Sequence, residues 1–241
     1  VNILEAARSR GVKKVTIASS SSVYGVNAKV PFSEADPIFS AISPYAASKA
    51  SSDHLARAWH HTFGLPVIVT RGSNTIGPYQ YPEKATPLFV TNAIDHLPLP
   101  VYGQGTAIRD YLYVDDHAAA IDLILHRGVA GEAYNVGSED ALNTVELAHA
   151  ILERLDRPQS LVQFVADRPG HDLRYSLDST KLRALGWRRE YNLEATLDAT
   201  VKWYEANEDW WRPIKSGAFR EYYRRQYGDA FASATAARGT S

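Results

Sequence analysis

Hydrophobic and polar positions alternate between helical and strand periods over the first seventy residues. Apolar side chains recur at helical spacing in residues 1–10, and a short β-branched run at 12–18 ends in four serines. A longer amphipathic helix is predicted over 44–63, followed by a second apolar strand at 65–70. Helices that alternate with short buried strands in this way predict parallel crossovers in a doubly wound sheet.

From Gly72 onward the pattern becomes irregular. Frequent prolines and glycines predict loops that run around short elements. Three more amphipathic helices are predicted, over 115–126, 144–155 and 193–204. The last stretch, 229–241, is small and polar, which is typical of a flexible tail.

Composition narrows the classes of function. The chain is 45% hydrophobic and 22% charged with a net charge of −1, which argues against a disordered chain or a strongly basic nucleic-acid-binding protein. No apolar run approaches the ~18–20 residues that cross a bilayer, so no membrane role is expected. The absence of cysteine excludes disulfides and thiolate metal sites and fits the cytoplasm, and no other metal-ligand spacing is found. Because methionine is also absent, we expect that Val1 is not the biological start.

Two groups of reactive side chains stand out together. Ser19 to Ser22 follow a buried strand, and open α/β sheets bind ligands at the carboxyl ends of their strands. Tyr45 and Lys49 are four residues apart near the start of a predicted helix, so the ammonium can lie beside the phenol and lower its pKa from the usual ~10. Tyr45 can then act as a base. A Tyr-x-x-x-Lys pair alone also occurs by chance, and runs of serine are common in turns. The order of strand, serines and helix along the chain favours a catalytic role for these residues.

This order resembles the extended short-chain dehydrogenase/reductase family of nucleotide-sugar enzymes, and by coverage it most resembles the dTDP-glucose 4,6-dehydratases. The resemblance extends from Val1 to about Gly228 and depends on seven motifs in the family's order. They are Tyr45-x-x-x-Lys49, SNTIGPYQ at 73–80, PEK at 82–84, VYGQG at 101–105, RDYLYV at 109–114, YNVG at 134–137 and RPGHD at 168–172.

The resemblance implies an α/β fold: a partial Rossmann-type doubly wound parallel sheet whose first half is absent, with a smaller loop-rich α/β substrate-binding region. The family's glycine-rich cofactor turn has no counterpart in this chain. We therefore expect at least ~60 residues to precede the chain in its parent protein. The implied ranges are 1–75 for the carboxyl-side half of the NAD-binding domain, 76–228 for the substrate region, partly interleaved with that domain, and 229–241 for the tail.

The resemblance further implies an NAD-dependent enzyme that oxidises C4 of a nucleoside-diphosphate sugar, a dTDP- or UDP-hexose. Tyr45 would take the proton of the 4-hydroxyl, with Ser20 and Lys49 as catalytic partners, while Ser19, Tyr45 and Lys49 would also contact the cofactor. Arg109 and Arg168 would offer forked donors to the diphosphate. The implied substrate-binding residues are Asn74, Lys84, Tyr102, Arg109, Asn143, Arg168 and His171.

Four of these residues also have structural interpretations. Arg109 and Asp110 could instead form an ion pair on the surface, but a loop bracketed by Gly103, Gly105 and Tyr111 favours a binding role. Asn74 can shape a turn, and His171 can be a solvated loop histidine. Asn143 stands where a helix N-cap belongs, because a glutamate follows three residues later.

One departure from the dehydratases bears on the reaction. Their strand end reads Ser-Thr-Asp-Glu-Val-Tyr-Gly, whereas residues 19–25 read Ser-Ser-Ser-Ser-Val-Tyr-Gly. Ser21 and Ser22 replace the aspartate that protonates the leaving C6 hydroxyl and the glutamate that removes the C5 proton, and serine can do neither near neutral pH. The local sequence instead resembles nucleotide-sugar 4-epimerases, including those acting on hexuronates. Three alternatives stay open: a dehydratase-like enzyme, a 4-epimerase, and a non-catalytic fragment or interaction module.

The helix predicted over 44–63 also bears on assembly. Leu55, Trp59 and Phe63 recur every four residues and add more apolar surface than one sheet face needs. In the family this helix pairs across a two-fold axis, which predicts a homodimer built through a helix bundle.

Overall fold

The computed structural model describes residues 1–25, 29–38, 40–167, 174, 176–216, 221 and 225. The helices are α1 (Asn2–Ser9), α2 (Pro44–Phe63), α3 (Ala85–Ile94), α4 (Val114–Arg127), α5 (Thr144–Arg154), α6 (Thr180–Ala184), α7 (Leu193–Ala206) and α8 (Glu208–Ile214). The strands are β1 (Val15–Ala18), β2 (Val67–Gly72), β3 (Asn74–Ile76), β4 (Leu99–Tyr102), β5 (Ile108–Tyr113), β6 (Ala133–Val136), β7 (Ala141–Asn143) and β8 (Val162–Val165). Short 3-10 helices lie at Ser21–Tyr24 and Gln159–Leu161.

The chain divides into two compact units, each built from separate stretches of sequence. It leaves the first unit after Thr75 and returns to it twice before residue 194. Unit 1 comprises residues 1–75, 108–141 and 172–193, and unit 2 comprises residues 76–107, 142–171 and 194–241.

Unit 1 is built on a sheet of three parallel strands in the order β1-β2-β6. Side chains of β2 alternate between the two faces of the sheet. Val67 and Val69 pack with Leu4 of α1 and Ala56 of α2, whereas Ile68 packs on the other face with Ile124 of α4. Helices therefore cover both faces, and the predicted doubly wound parallel sheet is confirmed.

Helix α2 begins and ends where the sequence predicts. The Ser43 hydroxyl accepts a hydrogen bond from the Ala46 amide at 3.1 Å, and Pro44 occupies the first turn, where its missing N–H costs nothing. Gly64 ends the helix in the left-handed conformation, with φ 68°. These signals place Tyr45 in the first turn of α2 and Lys49 one turn later.

The apolar surplus expected on α2 is smaller than predicted. Leu55 and Trp59 are half-buried and pack against the core of unit 1 that includes Val67 and Val69. Of the three apolar residues only Phe63 is exposed, at 51%. The expectation was wrong for Leu55 and Trp59, because the core formed with α1 covers more of α2 than one sheet face does.

Unit 2 contains a two-stranded parallel sheet, β4 with β8, against which α3 and α5 pack. Helix α3 lies where the sequence predicted loops. It is apolar on nearly every side and buried from Thr86 to Ala93, so it has no polar face to reveal a helical period. Pro87 lies in its first turn, where proline is tolerated. Across the residues described, no helix is long and apolar enough to cross a bilayer.

Candidate active site

A serine turn follows the carboxyl end of β1. The Ser19 amide donates to the Thr70 carbonyl at 2.7 Å, which extends the pairing with β2, and the 3-10 helix then begins. The Ser20 hydroxyl accepts two hydrogen bonds, from the Ser22 amide at 3.2 Å and the Ser22 hydroxyl at 3.0 Å. A hydroxyl has two lone pairs and one proton, so Ser20 serves a ligand best as a donor.

Tyr45 and Lys49 lie beside this turn. The Lys49 ammonium donates to the Ala18 carbonyl at 3.0 Å, which fixes it at the end of β1. Its Nζ atom is 5.9 Å from the centroid of the Tyr45 ring. The Tyr45 side chain is 58% exposed, so its hydroxyl is open to a ligand. The structure thus brings the predicted pair to the same edge of the sheet as the serines.

The residues around Ser19 suit a polar ligand. The Ser19 hydroxyl is buried and has no hydrogen-bond partner among the described residues. A buried polar group without a partner is costly, so a donor or acceptor supplied by a bound molecule would be favourable there. Ser21 and Ser22, each 3% exposed, place no carboxylate in this turn.

Behind the serine turn lies a buried polar network that the sequence analysis missed. Arg71 of β2 donates from Nε to the Asp53 carboxylate at 2.7 Å and from a terminal nitrogen to the Tyr24 hydroxyl at 2.9 Å. The Tyr24 hydroxyl in turn donates to the Asn135 amide oxygen at 2.6 Å. Burial raises the pKa of Tyr24 to about 12, so it remains a neutral donor. An arginine inside an otherwise apolar strand was the signal that could have revealed this network.

Two predicted substrate-binding residues belong to unit 1. Asn74 is exposed in β3. Arg109 of β5 is 7% exposed and donates to the Ile108 carbonyl at 2.8 Å. Asp110 is fully buried and accepts a hydrogen bond from the Ser138 amide at 2.9 Å. Because both are buried, the alternative of a surface ion pair between Arg109 and Asp110 was wrong.

The other predicted substrate-binding residues belong to unit 2. Lys84 is exposed and pairs with Glu83 at 2.9 Å, and Tyr102 is half-buried in β4. Asn143 forms a capping box at the start of α5: its amide oxygen accepts from the Glu146 amide at 2.8 Å, and Glu146 accepts from the Asn143 amide at 2.7 Å. Its capping interpretation is therefore confirmed.

The positions of two predicted substrate-binding residues and the question of metal ligands complete the description of the site. Arg168 and His171 lie outside the described residues. Within the described ranges, no three His, Cys, Asp or Glu side chains are grouped as metal ligands would be.

Comparison with known proteins identifies the family. The model of the GDP-mannose 4,6 dehydratase family matches residues 1–200. The chain belongs to this family. This confirms the prediction from seven motifs that the chain is an extended short-chain dehydrogenase/reductase of the epimerase and dehydratase group.

Among members of the wider group, a probable dTDP-glucose 4,6-dehydratase from Sinorhizobium fredii is 45% identical over 215 residues, which cover 86% of this chain and 61% of that protein. The DesIV dTDP-glucose 4,6-dehydratase of Streptomyces venezuelae, crystallised with NAD, superposes with a TM-score of 0.85 at 46% identity, covering 88% of this chain and 66% of DesIV. The UDP-glucose 4-epimerase of Thermus thermophilus, also in complex with NAD, superposes with a TM-score of 0.80 at 32% identity and coverages of 86% and 68%.

This chain matches only part of the length of these relatives. The chain spans between 54% and 61% of the length of the first curated relatives it matches. The superposition on DesIV confirms the Rossmann-type fold over 88% of the chain. Dehydratases and an epimerase share this fold, so the choice between them depends on individual side chains.

Proposed function

We propose that the chain carries the C4-oxidation site of an NAD-dependent enzyme that modifies a nucleoside-diphosphate hexose linked to dTDP or UDP. The observation that carries this proposal is the arrangement at the end of β1. There, Lys49 is anchored on the Ala18 carbonyl beside the Tyr45 ring, and the Ser20 hydroxyl lies in the adjoining turn. This arrangement offers a base, a cation beside the base, and a hydrogen-bond donor.

The site's own residues handle the proton. Tyr45, with the Lys49 ammonium 5.9 Å from its ring centroid, takes the proton from the sugar's 4-hydroxyl. Ser20 donates a hydrogen bond to the same oxygen and holds it in place. NAD⁺, when bound, supplies the two-electron acceptor that C4 needs. The Ser19 hydroxyl, which has no hydrogen-bond partner in the part of the chain that the structure describes, and the Lys49 ammonium fit the polar groups of that cofactor.

Other residues would hold the substrate. Arg109 presents a planar guanidinium suited to a diphosphate, and Arg168 has the same chemistry. Asn74, the first residue of β3, would contact the sugar. Lys84, Tyr102, Asn143 and His171 remain proposed contacts to the nucleotide or its phosphates. For Asn143 such a contact would use the amide NH₂, since the helix cap engages the oxygen.

The family relationship favours a dehydratase, and the serine turn favours a second candidate, a 4-epimerase. Elimination of water across C5 and C6 needs an acid and a base in the serine turn. Ser21 and Ser22 provide neither, whereas an epimerase needs only to return the hydrogen to the other face of C4. We therefore expect the site to perform reversible C4 oxidation and to form little dehydrated product.

The test is product analysis with the full-length protein, NAD⁺ and dTDP-glucose or UDP-hexoses. NMR should detect inversion of configuration at C4, which we call C4 exchange. The Tyr45→Phe variant should lose this exchange while nucleotide binding changes little. Tyr191→Phe, a tyrosine outside the proposed site, serves as the control. Unchanged turnover by Tyr45→Phe would exclude the proposed base.

The proposal includes assembly and location. We place the protein in the cytoplasm, in agreement with a sequence free of cysteine. We also infer a homodimer that associates through α2. The exposed Phe63 at the end of that helix supports such a contact.

A further inference from the structure

Arg71 is 1% exposed, yet it makes polar contacts with three segments of unit 1. Its Nε donates to Asp53 of α2 at 2.7 Å, and a terminal nitrogen donates to the Tyr24 hydroxyl at 2.9 Å and to the Glu34 carbonyl at 3.3 Å. Asp53 is fully buried, as is Tyr24 at 1% exposure. One guanidinium therefore joins β2, α2 and the 3-10 helix after the serine turn.

Each partner is close along the chain to a residue of the proposed site. Asp53 lies one helical turn beyond Lys49 on α2, and Tyr24 ends the 3-10 helix that Ser20 caps. Arg71 itself lies three residues before Asn74. The Tyr24 hydroxyl is also held by Asn135 of β6 at 2.6 Å, so the central strand and its β6 neighbour both restrain the network.

A buried ion pair adds little net stability compared with apolar residues of the same volume, but it fixes directions strongly. From this we infer that Arg71 is a positioning residue for C4 oxidation: through Asp53 and Tyr24 it sets the Tyr45–Lys49 helix and the Ser20 turn in the relative placement that the reaction needs. The inference rests on the proposed function. It assigns Arg71 no contact with substrate or cofactor.

Two buried tyrosines allow a matched test in the full-length protein. Tyr24→Phe removes the hydroxyl that contacts Arg71. Tyr134→Phe removes a hydroxyl of similar burial that instead accepts from the Val129 amide at 3.1 Å. Neither substitution changes a charge. Because a misplacement of about 1 Å can cost about 10²-fold, we expect kcat for C4 oxidation to fall about 10- to 100-fold in Tyr24→Phe, with KM for the nucleotide sugar nearly unchanged. Tyr134→Phe should keep the wild-type kcat.

A second pair of variants tests the contact with α2. Asp53→Asn keeps the shape but loses the charge that Arg71 needs, and it should lower kcat. Asp53→Glu restores a carboxylate and should recover part of the loss. If both lower thermal stability while kcat per folded molecule stays at the wild-type value, Arg71 serves stability alone and the inference fails.

A measurement without substrate separates this inference from the proposed function. In NMR spectra of protein labelled with ¹³C at the tyrosine rings, the resonance that is absent from Tyr45→Phe belongs to Tyr45. The Tyr45 resonance should shift in Tyr24→Phe and stay in place in Tyr134→Phe. If the wild-type protein oxidises no nucleotide sugar, the proposed function fails, and this spectrum still decides whether the Arg71 contacts set the placement of Tyr45. An unmoved Tyr45 resonance in Tyr24→Phe would overturn it.

Discussion

At the residue scale, we propose two roles for Lys49 that substitutions can separate. Its ammonium would assist Tyr45 as the base, and its position at the end of β1, 3.0 Å from the Ala18 carbonyl, would put it beside the proposed cofactor. We expect Lys49→Ala to lower kcat by about 10²–10⁴-fold, the usual contribution of an acid–base partner, and also to weaken NAD⁺ binding. Tyr45→Phe should lower kcat and change NAD⁺ binding little. Cofactor titration by fluorescence measures the difference, with the exposed Lys13→Ala as control; equal NAD⁺ affinity in wild type and Lys49→Ala would contradict the second role.

We expect Ser21 and Ser22 to determine which of the two proposed reactions the site performs. Acid and base groups each contribute about 10²–10⁴-fold, so two serines should leave dehydration slower by several orders of magnitude than a turn with Asp and Glu. We predict that Ser21→Asp combined with Ser22→Glu raises the formation of 4-keto-6-deoxy sugar, measured by NMR. Ser21→Asn with Ser22→Gln, similar in size but without charge, should not. Rapid formation of that product by the unmutated protein would show that other residues supply the acid and base.

Sequence reasoning predicted correctly those contacts of the proposed site that are local in sequence. Tyr45 and Lys49 are four positions apart on one helix, so the sequence alone placed them together, as the structure confirms. The contacts of Arg71 join residues 18 and 47 positions apart, and no local pattern encodes such distances. For Asn143, the motif predicted the cap because a capping box is complete within four residues.

Helices and strands, like single residues, were predicted correctly where their signals are local in sequence. Helix α2 carries its own start and stop signals in Ser43, Pro44 and Gly64, and its bounds were predicted correctly. Helix α3 has no comparable N-cap, since Lys84 makes no side-chain cap bond, and its burial on nearly all sides is a consequence of packing in unit 2. An amphipathic period arises when one side of a helix is exposed to solvent. A helix that is buried on all sides has no such period, so the sequence pattern does not reveal it.

The end of α8 offers a pH-dependent prediction at this scale. Lys215, directly after α8, donates to Asn92 at 2.9 Å and to Thr91 at 3.1 Å, both on α3. Burial lowers the pKa of Lys215 from 10.5 to about 8. Between these two values the unfolded chain binds the proton that the folded chain has released. Stability due to Lys215 should therefore rise with pH across this window.

Comparison with a variant isolates this effect. From pH 7.5 to 9.5, the free energy of unfolding of the wild type should rise relative to Lys215→Met by on the order of 2 kcal/mol. Urea unfolding at each pH measures it. Lys202→Met, at an exposed position of α7, should show no such divergence. A difference between wild type and Lys215→Met that is constant with pH would mean that the buried lysine does not titrate in this range.

At the scale of the whole molecule, two units are assembled from separate stretches of chain. The increase in prolines and glycines after Gly72 indicates where the chain first leaves unit 1. The chain enters unit 1 again twice, and local composition does not mark either place, because both depend on tertiary packing. The fold class was predictable because parallel strands with helices on both faces leave a repeating pattern in sequence. The dimer prediction, by contrast, relied on apolar residues of α2 that are now partly accounted for within unit 1.

For the proposed dimer, the exposed side of α2 is the surface that we expect to associate. Ala47, Ser51 and Ala58 lie on it at helical spacing, and such small residues allow a second helix to approach closely. We expect the full-length protein to have twice the mass of its chain by light scattering. Ala58→Arg should shift it toward monomer without lowering thermal stability at dilute concentration, whereas Glu205→Arg, on the exposed side of α7, should remain dimeric. A monomeric wild type at micromolar concentration would contradict the dimer, and an Ala58→Arg variant that stays dimeric would place its interface away from this face of α2.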